Sequence, residues 1–279
     1  MIKKIIQISD LHVRKNTNRY EEYKEQFDKF LNQAKEICEN YSYGEVRTVI
    51  CGDIFHDKII TSNEQKVFIS SFLKELDNFC VTIVYSGNHD ILESNFDRMG
   101  SIYPLFNMIN FKNTFYIDLI NDYKSGFFVD DNIVWVLYSI FDNFKRPNIE
   151  EMRLEEKNKN KIFAGLFHGP IVGSSSDMGF QMENGISPEI FNGCDVVLAG
   201  DIHKYQTIKY NNIDIVYPSS LIQQNYGENV SGHGYVVWDI NGNKITHTHH
   251  QIENDYGFYK FKISSVEDIE NNKEQIINR

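Results

Sequence analysis

The feature that most constrains this chain is a short polar fragment that recurs directly after apolar, strand-like runs. The fragments consist mainly of Asp, His, Gly and Asn. In chain order they are Asp10-Leu11-His12, Gly52-Asp53, Gly87-Asn88-His89-Asp90, His168-Gly169 and Gly200-Asp201-Ile202-His203. In open α/β sheets, ligands bind beyond the carboxyl ends of the strands. We therefore expect these fragments to converge in space although they lie far apart in sequence.

The residue types in the fragments predict a metal site. One such fragment alone predicts only a turn, but five in order predict a shared site. Carboxylate oxygens, imidazole nitrogens and one amide oxygen suit Mn, Fe, Zn or Mg. The four cysteines form no C-x-x-C pair, which argues against a structural zinc site. The candidate ligands are too many for one ion and fit two, which together clamp a phosphate and activate a water.

Hydrophobic periodicity predicts an α/β domain that begins with a largely parallel sheet. Helices are expected over 20–39 and 63–78, the second capped by Thr61 or Ser62. The stretch 150–161 is predicted to be an exposed helix or loop, and 172–187 a long mobile loop. The predicted strands are 3–9, 46–51, 80–85, 115–120, 133–140, 162–167, 195–199, 207–209, 213–217, 235–240 and 244–250.

Composition excludes several classes of protein. With 41% hydrophobic residues among 279, the chain is expected to fold around a sizeable core. A formal net charge of -11 excludes binding of nucleic acid by overall charge alone, although not at a local site. No apolar run approaches the ~20 residues of a membrane helix. The cysteines are interpreted as buried free thiols in a reducing compartment, so an intracellular, cytoplasmic location is expected.

The five fragments resemble the signature of the calcineurin-like metallophosphoesterases. More narrowly, the chain resembles the SbcD-type nuclease subunit of the double-strand-break-repair complex, in its phage and viral branch. The narrower resemblance rests on 52–56, Gly-Asp-Ile-Phe-His, on 217–221, Tyr-Pro-Ser-Ser-Leu, and on 223–228 and 233–238. It implies an α/β two-sheet sandwich flanked by helices, a four-layer fold, over residues 1–255. Residues 256–263 resemble the first strand of a small DNA-capping domain, so 256–279 are predicted to be the start of a truncated capping region.

The resemblance also implies a role for each fragment. It assigns seven ligands to two divalent ions: Asp53 as the bridge, Asp10, His12 and His203 on one ion, and Asn88, His168 and Asp201 on the other. It makes His89 a catalytic residue that stabilises or protonates the leaving group, and His56 one that helps to place the substrate. Two positions depart from the family. Asp201 stands where His is usual, and Ser219 stands where Gly is usual.

Other charged residues lie close to these motifs in sequence. Asp57 and Asp90 are predicted to be turn residues or supports of the ligands rather than ligands themselves. Individually, the basic residues near the motifs are expected to be solvated, but together they could form a phosphate-binding rim. That rim would consist of Arg14, Lys15, Lys58, Arg98 and Lys204.

The function that the resemblance implies is two-metal hydrolysis of DNA phosphodiester bonds, both exonucleolytic and endonucleolytic, in repair, recombination or replication. The implied cofactors are two divalent ions, with Mn expected and Mg, Fe or Zn as alternatives. The implied partners are DNA and an SbcC-type ATPase, with a homodimer as a further option and no membrane. A viral or phage protein would act in the host cytoplasm. Two alternatives stay open: a metallophosphoesterase of small nucleotides or phosphoproteins, and a non-catalytic scaffold.

Overall fold

Two six-stranded sheets packed face to face form the centre of the molecule. The structure is a computed structural model, and it describes residues 1–15, 17–242 and 244–277. The strands are β1 Lys4–Ile8, β2 Val46–Cys51, β3 Val81–Tyr85, β4 Thr114–Tyr116, β5 Gly126–Asp130, β6 Ile133–Tyr138, β7 Ile162–His168, β8 Val196–Gly200, β9 Gln206–Tyr210, β10 Ile213–Tyr217, β11 Gly234–Asn241 and β12 Lys244–Gln251. The helices are α1 Tyr20–Glu39, α2 Asn63–Phe79, α3 Tyr103–Met108, α4 Ile117–Ile120, α5 Ile149–Leu154 and α6 Val266–Ile277.

Both sheets are mixed, with a parallel centre. The first has the order β12-β11-β1-β2-β3-β4, and the second has the order β5-β6-β7-β8-β10-β9. Strands β1 to β4 are parallel to one another, as are β6, β7, β8 and β10. The carboxyl ends of each parallel set therefore lie at one edge of its sheet. This confirms the predicted α/β two-sheet sandwich flanked by helices.

Helices α1 and α2 cover the outer face of the first sheet. Phe27, Phe30 and Phe72 are buried there, on helix faces that the three- and four-residue apolar spacing predicts. Helix α2 begins at a capping box: the Ser62 hydroxyl accepts from the Gln65 backbone N–H, and the Gln65 side chain accepts from the Ser62 N–H. The predicted bounds of α1 are confirmed, and the cap of α2 is Ser62 rather than Thr61.

Buried polar side chains join the two sheets near the carboxyl ends of their parallel strands. The Gln7 amide, on β1, donates to the carbonyls of Ala199 and Val216 on the second sheet. The Tyr85 hydroxyl, on β3, lies 3.1 Å from the carbonyl of Phe167 and 3.0 Å from that of Leu198. Buried polar groups cost free energy unless they are hydrogen-bonded, so these contacts favour one relative placement of the sheets. That placement brings the polar fragments of the two sheets together.

The middle of the chain differs from its prediction. The expected strand 115–120 is wrong beyond Tyr116, because α4 begins at Ile117. A short apolar run fits a strand or a buried helical turn equally well. The turn lets the buried Asp118 carboxylate accept from the Ser86 N–H at 2.8 Å and from the Ser139 hydroxyl at 2.6 Å. The edge strand β5 and the short helix α3 were not predicted.

The C-terminal region also differs. Residues 256–263 form no strand, so that part of the prediction is wrong, and α6 follows them. The backbone there pairs with Gln223 instead of a sheet, through the N–H and carbonyl of Phe258. Whether 256–279 start a capping region stays a prediction. Within the described part of the chain, no helix combines the length and the apolarity needed to cross a lipid bilayer.

Candidate metal centre

The loops that follow β1 and β2 run side by side beyond the first sheet. Backbone hydrogen bonds join Asp10 N–H to the Gly52 carbonyl at 3.2 Å and His12 N–H to the Asp53 carbonyl at 2.9 Å. Asp10, His12 and Asp53 have φ angles of 54°, 43° and 54°, in the left-handed region that side chains other than Gly adopt rarely. Such strained positions cluster at functional sites, where surrounding contacts over-determine them. Here the paired loops provide those contacts.

Glycine precedes the site residues because neighbouring loops approach its backbone closely. A Cβ at Gly87 would lie 2.2 Å from Oδ1 of Asp53, and one at Gly200 would lie 2.1 Å from the carbonyl oxygen of Cys51. Any larger residue would push the loops apart. Close packing of the loops at the site therefore explains why glycine precedes Asn88 and Asp201 in the sequence.

Asp53 lies between two histidines from different sheets. Its Oδ1 is 3.3 Å from Nε2 of His168, and its Oδ2 is 3.4 Å from Nε2 of His12. One carboxylate oxygen thus faces each side of the site. This is the placement expected of a carboxylate shared by two ions.

Two groups of candidate ligands surround Asp53. On one side, Nε2 of His203 is 3.0 Å from Nε2 of His12 and 3.7 Å from Oδ1 of Asp10. On the other side, Nε2 of His168 is 3.2 Å from Oδ1 of Asn88 and 3.9 Å from Oδ1 of Asp201. The structure thus brings together all seven residues of the predicted ligand set, in the two predicted groups. Their coordination of metal stays a prediction.

The electrostatics of these residues fit bound cations. Burial raises the pKa of Asp10 to about 6, although His203 and His168 oppose the shift. Burial would also raise the pKa of Asp53, but His168 and His12 outweigh it and hold that pKa below its usual value. Among the described residues, the ion-pair partners of both carboxylates are histidines. Buried charges are normally paired or metal-bound, so this donor set fits divalent ions.

His56 and His89 stand beside the ligands. The His89 Nδ1 lies 2.7 Å from the His56 carbonyl oxygen, and because a carbonyl only accepts, Nδ1 carries a proton. Nε2 of His89 can then donate only when the ring is cationic. Burial, with Arg14 and His89 nearby, lowers the pKa of His56 to about 4, so its ring is neutral at pH 7. Its Nδ1 lies 3.4 Å from Nδ1 of His12.

Two carboxylates outside the predicted ligand set support the site. Asp90 is fully buried and accepts from the backbone N–H groups of Ile54, Phe55 and Gly87, which fits the prediction that it supports the ligands. Glu228 accepts from Nδ1 of His203 at 2.7 Å, a contact that sequence reasoning missed. Its only signal was its place in 223–228, a segment cited for the family resemblance.

The five residues of the predicted basic rim have different partners in the structure. Lys15 pairs with Asp57, and Lys58 pairs with Glu93. The remaining three are Arg14, which donates to the Gln224 carbonyl, Lys204, which donates to the Ser175 hydroxyl, and Arg98, which lines a cavity of about 460 Å³. Of these, Arg14 lies close enough to His56 to lower its pKa. Phosphate binding by all five stays a prediction.

Two cavities open on either side of Asp201. One, of about 410 Å³, extends past Asn88 and His168 to Phe96 and Phe144. The other, of about 220 Å³, extends past His203 and Lys204 to Met178 and Met182, in the loop 172–187. That loop is confirmed as a loop, tied by single bridges between Ile171 and Ile186 and between Ser175 and Gln181. Its mobility stays a prediction.

Comparison with known proteins identifies the family. Residues 3–205 match the Calcineurin-like phosphoesterase family. The chain belongs to this family. It is also 36% identical over 278 residues, 96% of its length, to "Uncharacterized protein R555" of Acanthamoeba polyphaga mimivirus, although it spans only 19% of that relative.

Two solved structures share the fold of this phosphoesterase. A dimetal phosphatase from Danio rerio matches with a TM-score of 0.54 and 12% identity, over 88% of this chain and 98% of that one. A putative 5'-nucleotidase from Staphylococcus aureus matches with a TM-score of 0.51 and 13% identity, over 98% of this chain and 58% of that one. Membership of the calcineurin-like phosphoesterases supports phosphoester hydrolysis, and the residues around Asp53 provide a donor set that suits divalent ions.

Proposed function

We propose that this phosphoesterase is a two-metal nuclease that hydrolyses phosphodiester bonds in DNA. The observation that carries the proposal is the pair of cavities on either side of Asp201. A phosphodiester continues on both sides of the scissile phosphorus, whereas a monoester continues on one. Space on both sides of the ligands therefore favours a diester, and the narrower sequence resemblance favours DNA.

The residues of the site have distinct roles in this reaction. The seven ligands would hold two divalent ions, which when bound supply Lewis-acid activation of the phosphate and of an attacking water. His89, held through Nδ1 by the His56 carbonyl, donates a proton from Nε2 to the departing sugar oxygen when both of its ring nitrogens are protonated. His56, neutral at pH 7, packs against both His12 and His89 and helps to orient the substrate strand.

The affinity for DNA is expected to depend on the basic residues near the site and on partner proteins. With a net charge of -11, the chain repels a polyanion at long range. Each neutralised phosphate contributes a salt slope of about 0.9 on duplex DNA, so a few contacts give weak binding. We propose that an SbcC-type ATPase supplies the remaining affinity, in the host cytoplasm if this chain is viral like its mimivirus relative. A homodimer stays a prediction.

One experiment separates the nuclease from the alternatives. Cleavage of linear duplex and single-stranded DNA would be measured with Mn²⁺, with and without an SbcC-type ATPase. Bis-p-nitrophenyl phosphate, mononucleotides and a phosphopeptide would be assayed alongside. We expect metal-dependent DNA cleavage that the ATPase accelerates. Hydrolysis of only mononucleotides or phosphopeptide would contradict the proposal, and metal binding without hydrolysis of any substrate would indicate a scaffold.

A charge reversal tests the proposed DNA contacts. Arg14→Glu with Lys15→Glu should weaken DNA cleavage and spare hydrolysis of bis-p-nitrophenyl phosphate. Lys157→Glu with Lys159→Glu is the matched control. It changes the net charge equally, but both lysines lie before the amino end of β7, whereas His168 ends that strand. Equal loss on both substrates in the Arg14 and Lys15 variant would mean that these residues support the site rather than bind DNA.

A further inference from the structure

The three histidine ligands differ in what holds their second ring nitrogen. Nδ1 of His168 donates to the Cys51 carbonyl at 2.7 Å, and Nδ1 of His12 lies 3.4 Å from His56. Nδ1 of His203 alone meets a carboxylate, that of Glu228, at 2.7 Å. Ligating histidines usually donate their second N–H to such a partner, which fixes the tautomer and makes the ring a stronger donor.

Glu228 is built into the protein rather than held loosely at the surface. Its side chain is only 8% exposed. Besides His203, its Oε1 accepts from the Asn225 side-chain amide at 2.6 Å, and its Oε2 accepts from the Gln224 N–H at 2.6 Å. Because all three neighbours donate, the carboxylate is satisfied as an anion and has one orientation.

The loop that carries Glu228 is itself anchored to two distant segments. The Gln223 side chain donates to the Glu228 carbonyl and accepts from the Phe258 N–H at 2.6 Å. The Arg19 guanidinium donates to the Gln223 carbonyl at 2.6 Å and lies 4.8 Å from the centre of the Phe258 ring. The loop is thus held between the start of α1 and the segment that precedes α6.

We propose that Glu228 is a positioning residue for the dimetal centre. It holds His203 as the Nδ1–H tautomer, so that the Nε2 lone pair faces the side of the site formed by Asp10 and His12. It also strengthens that nitrogen as a ligand. The proposal rests on the dimetal centre of the family and not on DNA as the substrate.

Metal titration tests this role without any substrate. Apo protein would be titrated with Mn²⁺ by calorimetry, for wild type, Glu228→Ala and Glu228→Gln. Partners of this kind typically contribute 10–100-fold in metal affinity. We expect Glu228→Ala to weaken one of the two binding events by about that factor and leave the other unchanged. Glu228→Gln should fall between, because its amide keeps one acceptor but places a donor against Gln224 or His203.

A control and a spectroscopic readout separate positioning from loop disruption. Asn229→Ala alters the same loop, where that side chain donates to Asp177, but leaves the Glu228 carboxylate in place, so its Mn²⁺ affinity should equal that of wild type. Long-range ¹H–¹⁵N spectra of Zn²⁺-loaded wild type should show His203 protonated at Nδ1, and slowed exchange of that proton should be lost in Glu228→Ala. Unchanged Mn²⁺ affinity in Glu228→Ala, or equal weakening in Asn229→Ala, would overturn the proposal. These results do not depend on the substrate, so they would be the same if the protein hydrolysed an ester other than DNA.

Discussion

The ligands contributed by the first sheet, called the first side below, and those contributed by the second sheet, called the second side, are held in different ways. On the first sheet, the loops that carry Asp10, His12 and Asp53 hydrogen-bond to each other along the backbone. On the second sheet, Asp201 and His203 keep 24% and 22% of their side-chain surface exposed. The backbone N–H of Asp201 donates to the Asp10 carboxylate, so the second side is partly positioned by the first.

Asp90 makes this difference larger. Its carboxylate connects the loop after β2 to the loop after β3, through three backbone N–H groups. The second side is held by the side-chain bonds of His203 to Glu228 and of His168 to Cys51. Backbone bonds also join His203 to Ser220 and Gly200 to Gly169. A ligand held by few contacts can be exchanged with less disturbance. This fits the position of Asp201, which stands where the family resemblance implies His, on the second side.

The largest expected effect separates the two sides directly. Asp53→Ala should remove at least one ion and abolish hydrolysis, because both groups of ligands share this carboxylate. Asp201→Ala should weaken the binding of one ion and leave measurable activity. Metal content by mass spectrometry, with hydrolysis of bis-p-nitrophenyl phosphate, checks both. Full occupancy in Asp201→Ala would show that Asp201 does not coordinate, and equal loss in both variants would remove the distinction between the sides.

The next effect concerns chemistry without metal loss. His89→Ala should keep both ions and lower hydrolysis by ~10²–10⁴-fold, the usual contribution of general acid–base assistance. The side chain of His89 bonds to the His56 carbonyl rather than to any of the seven ligands. The same two assays apply. Loss of metal in His89→Ala would show that His89 is a ligand, and the first side would then contribute one more ligand.

A smaller expected effect concerns the buried carboxylate of Asp118, which accepts from the Ser86 N–H. Burial raises the pKa of Asp118 to about 6, against an ordinary value of 3.8. The folded protein therefore binds this proton more tightly than the unfolded chain, and its stability falls as pH rises from about 4 to 6. Asp118→Asn should lack this pH-dependent contribution to the free energy of unfolding. Relative to that variant, metal-free wild type should lose about 2–3 kcal/mol across the window, at 1.36 kcal/mol per pKa unit.

Urea unfolding at pH 4 and pH 7 measures that term. The informative quantity is the difference between wild type and Asp118→Asn, since other titrating groups largely cancel in it. Thr114→Val, which removes a hydroxyl bonded to Asp77 in the same region, is a control with no titrating group lost. A constant difference between wild type and Asp118→Asn at both pH values would refute the pKa assignment.

The smallest expected effect is at Ser219, which stands where the SbcD-type resemblance implies Gly. Ser219 keeps a φ of 83°, so the turn has the left-handed conformation that favours Gly, and its hydroxyl accepts from the Gly234 N–H at 3.0 Å. Ser219→Gly relieves strain of ~1–2 kcal/mol but loses this bond, worth ~0.5–1.5 kcal/mol. We expect a net change between about -0.5 and +1.5 kcal/mol. Ser219→Ala loses the bond without relief and should be the less stable variant in urea unfolding.

Local pattern in the sequence was sufficient for most of the elements and for the grouping of the candidate ligands. The spacing of apolar residues determines α1 and β2 because each is stabilised by one buried face or one buried run. The five polar fragments predict which residues meet because parallel strands end at a common edge, whatever the intervening chain contains.

Tertiary structure decided what depends on contacts between distant residues. Asp53 meets His168 across 115 positions of sequence, and this pairing, not Asp53 alone, lowers its pKa. The roles of Asp90 and Glu228 also follow from the donors that the fold places around them. Tertiary contacts of Asp118 also favour a helical turn rather than a strand over 117–120. Short-range periodicity in the sequence cannot predict such contacts. They stabilise the fold only when polar groups from distant segments hydrogen-bond or pair with each other in the protein interior.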